Sequence, residues 1–456
     1  MIEIEKNKLL MTNILIFGAG RSATALIAYV LREAERHDWQ VVVADFDLKL
    51  AQDKVNGHSH AKAVQLDVTK AEERRRLIEQ ADLVVSLLPA HLHILVAYDC
   101  LEFKKHLITA SYVSNEMYRL SAEAVNKELI FLGEMGLDPG IDHMSARKTI
   151  ASIQERGGKI TAFRSSTGGL IAPESDDNPW HYKFTWNPRN VVLAGKGTAQ
   201  YLYEGSLRYI PYYRLFKEHR SVSIPGLGVM EEYPNRDSLL YREAYGLEGI
   251  PTLIRGTLRY PGFCDAWHAL VTIGLTDASF PIVDSDKLSY RQWLQAYVGR
   301  HSSGTLEERI AALIGWPVDS EVMERLRWLG LFSEERIRLA HGTPADLLED
   351  LLLRRWKLKP EDKDLVVMHH EFEYELKGEK HRLTSTLQMK GQNARDTAMS
   401  RLVGLPLGIF AKLVMQGKIH AAGVNIPVIP EIYNPLLEEL KEYGVHFEEH
   451  DSVVVD

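Results

Sequence analysis

Cysteine is nearly absent from this 456-residue chain, with Cys100 and Cys264 the only two. Two thiols make no disulfide framework, so a cytoplasmic location is expected. Basic residues are not in excess either. Lys and Arg total 54 against 62 for Asp and Glu, a net charge of −8, whereas nucleic-acid or anionic-membrane partners need a basic face. No run approaches the ~20 apolar residues of a membrane span. Glu3, Glu5, Lys6 and Lys8 open the chain with no long apolar stretch behind them, which predicts a short extension before Met11 and no signal peptide. No repeat or low-complexity tract occurs. The composition, 45% hydrophobic and 25% charged, is that of a globular protein, and at roughly 150 residues per domain the length predicts two or three domains.

The first 140 residues alternate short apolar runs with helical stretches. Strands are expected at 13–17, 40–44, 64–67, 82–88, 106–109 and 128–132, and helices from the glycine-rich turn to Leu31 and over 70–80. This spacing predicts a doubly wound parallel α/β sheet. A helix begins at Ile141 and is closed by Gly157 and Gly158. Strand-like segments follow at 159–165, 250–258 and 365–376, and the stretch 272–359 reads as helical. Its start signals are a capping box, Thr305 with Glu308, and the N-cap pair Thr343-Pro344. Segments 365–376 and 380–389 flank residues 377–379 as a hairpin.

The turn after the first strand is Gly18-x-Gly20-x-x-Ala23, with Arg21 and Ser22 between. Gly18 makes the tight turn, Gly20 lets backbone approach a pyrophosphate, and Ala23 permits close helix–sheet packing. Asp45, at the end of the second strand, suits a ribose 2′,3′-diol better than a 2′-phosphate, so NAD is favoured over NADP. Lys49 is the nearest cation. Ser111 and Tyr112 follow the fifth strand at the carboxyl edge. Asp138, in the turn of Pro139 and Gly140, faces two readings that spacing does not separate: contact with a substrate ammonium, or a helix N-cap. The pairs His58/His60 and His91/His93 lack Cys or E-x-x-H partners, so surface or loop histidines are expected and no metal. His143 falls in a helical first turn.

Eight blocks together resemble the L-glutamate-forming saccharopine dehydrogenases, also called saccharopine reductases. They are SYVS (111–114), GLDPGIDH (136–143), GGLIAPE (168–174), DNP (177–179), YKF (182–184), YPNRDS (233–238), RGTLRY (255–260) and TSTL (384–387), in order over nearly the whole chain. The resemblance implies a variant Rossmann NAD(P)-binding domain (11–140 and 392–456), a second α/β substrate-binding and dimerisation domain (141–271 and 364–391) and a helical insert (272–363). It implies substrate contacts at Ser111, Tyr112, Asp138, Arg236 and Thr257. Cofactor contacts are expected at Gly18, Gly20, Arg21, Ser22, Ala23, Asp45, Asp67, Leu88, Pro89, Ser111, Leu137 and Asn187. Arg236, Arg255 and Arg259 also fit ordinary salt bridges. Two departures stand out. Fungal members carry a cysteine where this chain has Ser165-Ser166-Thr167-Gly168-Gly169, which removes a catalytic thiol there. They also carry an arginine after the second strand and use NADP, whereas Asp45 resembles the NAD-using half of bifunctional plant and animal enzymes.

The expected reaction is NAD-dependent oxidation of the secondary amine of saccharopine to L-glutamate and 2-aminoadipate 6-semialdehyde. Asp138 and Tyr112 are the catalytic candidates beside the amine, with Lys183 a further one. NAD use would fit lysine breakdown, and a homodimer is expected. A carboxynorspermidine-type reductase and a non-catalytic NAD-binding sensor stay open as alternatives.

Overall fold

A computed structural model describes residues 12–194, 197–299 and 303–454. The expected N-terminal extension lies outside them. The strands are β1 (Asn13–Phe17), β2 (Gln40–Asp45), β3 (Ala61–Gln65), β4 (Leu83–Ser86), β5 (His106–Thr109), β6 (Ile130–Leu132), β7 (Lys159–Ile171), β8 (Ala199–Tyr203), β9 (Ser206–Ile210), β10 (Arg220–Ile224), β11 (Gly228–Pro234), β12 (Thr252–Arg259), β13 (Ile282–Val283), β14 (His341–Gly342), β15 (Asp364–Leu376), β16 (Glu379–Lys390), β17 (Gly423–Asn425) and β18 (Phe447–Val453). The chain divides into two compact units, one comprising the residues up to Ser152 with Arg395–His446, the other Ile153–Ala394 with Phe447 onward.

The first unit is a seven-stranded parallel sheet of order β17-β6-β5-β4-β1-β2-β3, with a topological switch between β1 and β4. Parallel strands are buried on both faces and so are apolar throughout. Leu15, Phe17, Val84, Leu107 and Phe131 pack on one face against Ile78, Val96 and Cys100 of the helices Ala71–Glu79 and His93–Phe103. The helices Ala23–His37 and Ala398–Met415 cross each other and serve the rest of the sheet. Ala398–Met415 is long and apolar enough to cross a membrane, with mean hydropathy 1.5, yet 83% of it is buried in the protein, as befits a core helix. Its crossing is close because Gly404 and Gly408 share a face. A Cβ on Gly404 would stand 2.5 Å from the Leu26 backbone nitrogen, and one on Gly408 would stand 2.7 Å from the Tyr29 ring.

The second unit is built on a nine-stranded mixed sheet with the path β10-β11-β12-β7-β15-β16-β18, and off that path β8 pairs with β12 and β9 with β8. The β15–β16 hairpin turns on two residues, Lys377 and Gly378, both at positive φ, one fewer than expected. The capping boxes at Thr305/Glu308 and Thr343/Asp346 are formed. Three boundaries differ from expectation, the first being that residues 141–152 stay with the first unit. The helical block does not separate as a third unit, because Trp293, Leu326, Leu348 and Trp356 share one core with Trp180, Tyr182, Phe184 and Trp267. Residues 447–453 leave the first unit, because β18 pairs along the open edge of β16, with Thr384 opposite His450.

One face of this sheet carries two buried carboxylates, Glu232 and Glu371, met by the exposed Arg220. Arg220 reaches Glu232 at 2.5 Å and Glu371 at 2.7 Å, and Ser166 donates to Glu232 at 2.6 Å. Burial outweighs Arg220 and raises the Glu232 carboxyl, whereas Glu371 is held below its usual range by Arg220, His369 and Arg382 despite its burial.

Two outcomes are expected. Gly404→Ala gains about 1 kcal/mol of helix propensity but forces a backbone clash costing about 1–3 kcal/mol, so a net loss of stability should appear in urea unfolding. A depressed carboxyl stabilises above its unfolded pKa and loses that contribution as pH falls. Glu371→Gln should therefore cost about 1.5–3 kcal/mol at pH 7 and progressively less below about pH 4.5, while Glu232→Gln at pH 7 is neutral or stabilising.

Candidate active site

In open α/β sheets ligands bind beyond the carboxyl ends of the strands at the switch point, here after β1 and β4. Gly18 sits there at φ +97°, and a Cβ on it would meet the Leu87 carbonyl at 3.1 Å. Gly20 leaves open space, with no atom within 4 Å of where its Cβ would stand. Ala23 is buried at the start of the helix Ala23–His37. Ser22 makes no side-chain cap bond and the first turn holds no acid, so no side chain of the helix itself competes with a phosphate for that end. The loop fits a dinucleotide pyrophosphate. Arg21 is exposed beside it, and Leu88 and exposed Pro89 follow β4 on the other side of the switch.

Asp45 has two backbone partners within the protein. Its Oδ2 accepts the Ala19 N–H at 2.6 Å and its Oδ1 the Asp47 N–H at 2.8 Å. Oδ2 thus fastens the glycine loop to the end of β2, and Oδ1 holds the turn that follows β2. Asp67, just past β3, closes a turn by accepting from Thr69 N–H at 3.0 Å and Thr69 Oγ1 at 2.6 Å, and these bonds hold its carboxyl below the usual range.

The loops after β5 and β6 bring the amine-side candidates together. Tyr112 Oη donates to Asp138 Oδ1 at 3.2 Å. Asp138 is not the N-cap: the helix Ile141–Glu155 begins three residues later, and Asp142 turns back to accept the Gly140 N–H at 2.6 Å. Leu137 is buried in the tight Gly136–Gly140 loop, where a Cβ on Gly140 would overlap Gly136. Sequence reasoning missed the support beneath. Glu134, buried at φ +59°, accepts Val113 N–H at 3.0 Å and holds buried His143 Nε2 at 2.8 Å, while its own N–H donates to the Ser111 carbonyl. A non-glycine residue at positive φ in a buried loop is strained, and no single-sequence signal reveals it. His93 corrects the surface expectation. It is buried between Ser86 Oγ at 2.9 Å and Ser111 Oγ at 2.8 Å, and burial, with His91 nearby, lowers its pKa to about 4. Among the described residues no cluster of three or more His, Cys, Asp or Glu could hold a metal.

In the second unit Thr257 lies on β12 beside Thr167 of β7 and accepts from Asn235 Nδ2 at 2.9 Å. Arg236 is exposed just beyond β11 at φ +49°. Arg259 shares the face of Thr257 two residues on. It is 3% exposed, lies among the rings of Tyr182, Tyr233 and Phe263 at 5.1–5.8 Å, and donates Nη1 to the Leu258 carbonyl at 2.8 Å. Among the described residues no carboxylate pairs with it, and its Nε and the Tyr182 hydroxyl have no partner. Lys183 does not fit a catalytic base, being buried in salt bridges to Asp362 at 2.8 Å and Asp177 at 2.9 Å. Asn187 caps the helix Pro188–Val192.

Asp45→Ala should weaken binding of both phosphorylated and unphosphorylated nicotinamide dinucleotides by a similar factor, about tenfold for two lost backbone hydrogen bonds. Fluorescence titration with each form checks this; a loss confined to NAD would show that the carboxylate serves the ribose.

The profile described as saccharopine dehydrogenase NADP binding domain matches residues 14–132, and the one described as saccharopine dehydrogenase C-terminal domain matches 136–445. The Schizosaccharomyces pombe saccharopine dehydrogenase [NADP(+), L-glutamate-forming] is 33% identical over 96% of this chain and 99% of its own length. The Arabidopsis thaliana alpha-aminoadipic semialdehyde synthase is 35% identical over 90% of this chain, which spans only 40% of that longer protein. The structure of apo saccharopine dehydrogenase (L-Glu forming) from Saccharomyces cerevisiae superposes with TM-score 0.87 at 33% identity, over 97% of this chain and 100% of that one. NADP in the relative's name and in the domain description overturns the expectation that NAD is favoured. Asp45 has a structural role that accounts for a carboxylate at this position without a ribose, since it accepts one amide of the glycine loop and one of the turn after β2. The argument for lysine breakdown falls with that expectation. With a relative matched almost end to end at 33% identity and most of its length inside the two profiles, this chain belongs to the saccharopine dehydrogenase family of oxidoreductases.

Proposed function

We propose that this chain oxidises the secondary amine of saccharopine, in lysine metabolism, to L-glutamate and 2-aminoadipate 6-semialdehyde. The observation that carries the substrate is Arg259. A guanidinium sealed among aromatic rings without a carboxylate of its own is costly, and a carboxylate from a ligand supplies what it lacks. Saccharopine has three carboxylates. Thr257, on the same face, adds a hydroxyl, and Arg236 a second cation.

A bound nicotinamide dinucleotide supplies the hydride acceptor, and Gly18, Gly20 and the N-terminus of the helix Ala23–His37 would hold its pyrophosphate. Hydride leaves the methylene carbon beside nitrogen, giving an imine; water adds, and the carbinolamine collapses to amine and aldehyde. Asp138 favours the substrate ammonium, and the Tyr112 hydroxyl fixes one of its oxygens. Holding the amine and its α-hydrogen in one orientation is the main task of these groups.

Formation of reduced dinucleotide, followed by absorbance with saccharopine and NAD or NADP, tests the reading; absence of turnover with both would sink it. Arg259→Met should lower kcat/KM for saccharopine by about 10–100-fold, the worth of a charged hydrogen bond. The same variant removes an unpaired buried charge, so its Tm should hold or rise. A Tm that falls with unchanged kcat/KM would make Arg259 structural.

A further inference from the structure

The Ser86–His93–Ser111 chain has a direction. Ser86, fully buried at the end of β4, carries one hydroxyl hydrogen, and among the described residues its Oγ has no hydrogen-bond partner but His93 Nδ1. A buried hydroxyl donor without an acceptor is costly, whereas an unfilled lone pair costs less. Ser86 therefore donates and Nδ1 accepts. The imidazole is neutral, its pKa lowered to about 4 by burial, so its single hydrogen resides on Nε2. Nε2 then donates to Ser111 Oγ at 2.8 Å. That bond fills a lone pair of Ser111 and leaves its hydrogen without an acceptor from the described chain.

We propose that His93 is a positioning residue that makes the Ser111 hydroxyl a committed hydrogen-bond donor to an acceptor oxygen of the bound ligand, a carboxylate or carboxamide oxygen. The proposal rests on the reading of Ser111 as a ligand contact. The opposite tautomer would make Ser111 donate to the imidazole and present only lone pairs, which would repel such an oxygen. His93 thereby selects for acceptors at this position of the strand edge, and the role is one of orientation, since a neutral imidazole of such low basicity takes no proton from the substrate amine.

The tautomer is read directly by NMR of the protein with 15N-labelled histidine, the His93 signal being assigned by its loss in His93→Gln. Protonation at Nε2 is expected, and protonation at Nδ1 overturns the proposal whether or not the protein turns over saccharopine. Kinetics give the second arm. Ser111→Ala and His93→Phe should each lose about tenfold in one shared parameter, and the double variant should lose no more than either. If the acceptor belongs to the substrate, the saccharopine KM moves; if it belongs to the dinucleotide, its Kd moves. His93→Gln, whose amide can accept from Ser86 and donate to Ser111, should restore most of the loss. Additive losses of about 100-fold in the double variant overturn the coupling. Failure of the parent protein to oxidise saccharopine would sink the function reading alone, because the tautomer and the dinucleotide Kd still decide the role of His93.

Discussion

The first unit depends on the close crossing of the helices Ala23–His37 and Ala398–Met415. A parallel sheet is stable only when both faces are covered, and the helix opening at the glycine loop packs chiefly against a helix that the chain supplies only after some 370 residues. Gly404 and Gly408 bring the returning helix almost onto the backbone at Leu26 and the ring of Tyr29. That contact places Ala23 and the glycine loop at the switch point. It also delivers β17 to the edge of β6, where Val424 pairs with Phe131 beside the loop that ends in Asp138. The buried apolar helix is therefore the frame on which the candidate nucleotide site is stretched.

Around that frame the buried polar groups divide into those satisfied by the chain and those left for something else. Asp45 gives both oxygens to loop amides. Glu134 and His143 satisfy one another while tying the segment of Ser111 and Val113 to the segment of Asp138. Lys183 is spent on two aspartates. These groups rigidify, and each was a plausible chemical participant by residue type alone. Arg259 differs, since burial has cost it water and the chain returns one carbonyl and three ring faces. A low-dielectric setting makes both outcomes consequential: satisfied networks hold geometry, and an unsatisfied donor is a strong binding group.

The Rossmann pattern was legible in the sequence because its signals are local. Apolar runs such as 13–17 and 106–109 become strands with those bounds, and the caps at Thr305 and Thr343 form as written. Less was legible in the second unit. The strands β8 to β11 are short and partly exposed, so their period carries little information until β12 pairs with β8 and β11, and these in turn with β9 and β10. β18 is acidic and exposed and becomes a strand only because β16 offers an open edge. Asp45 taught the sharper lesson. It stands at the strand end as expected and there accepts two backbone amides, which spacing does not reveal, because spacing places a carboxylate without naming the donors that reach it.

By itself the sequence determined the parallel sheet, the glycine turn and the family, all of which rest on periodicity and on ordered blocks that survive in one dimension. The tertiary structure alone decided what each polar side chain does. His91 and His93 differ by two residues, yet one is exposed and the other lies buried between two serines brought from β4 and from beyond β5. Arg259 reads as one more salt-bridging arginine until Tyr182, Tyr233 and Phe263 close around it. Hydrogen bonds and burial are made between segments distant in the chain, and residue type alone carries no record of which partners will meet.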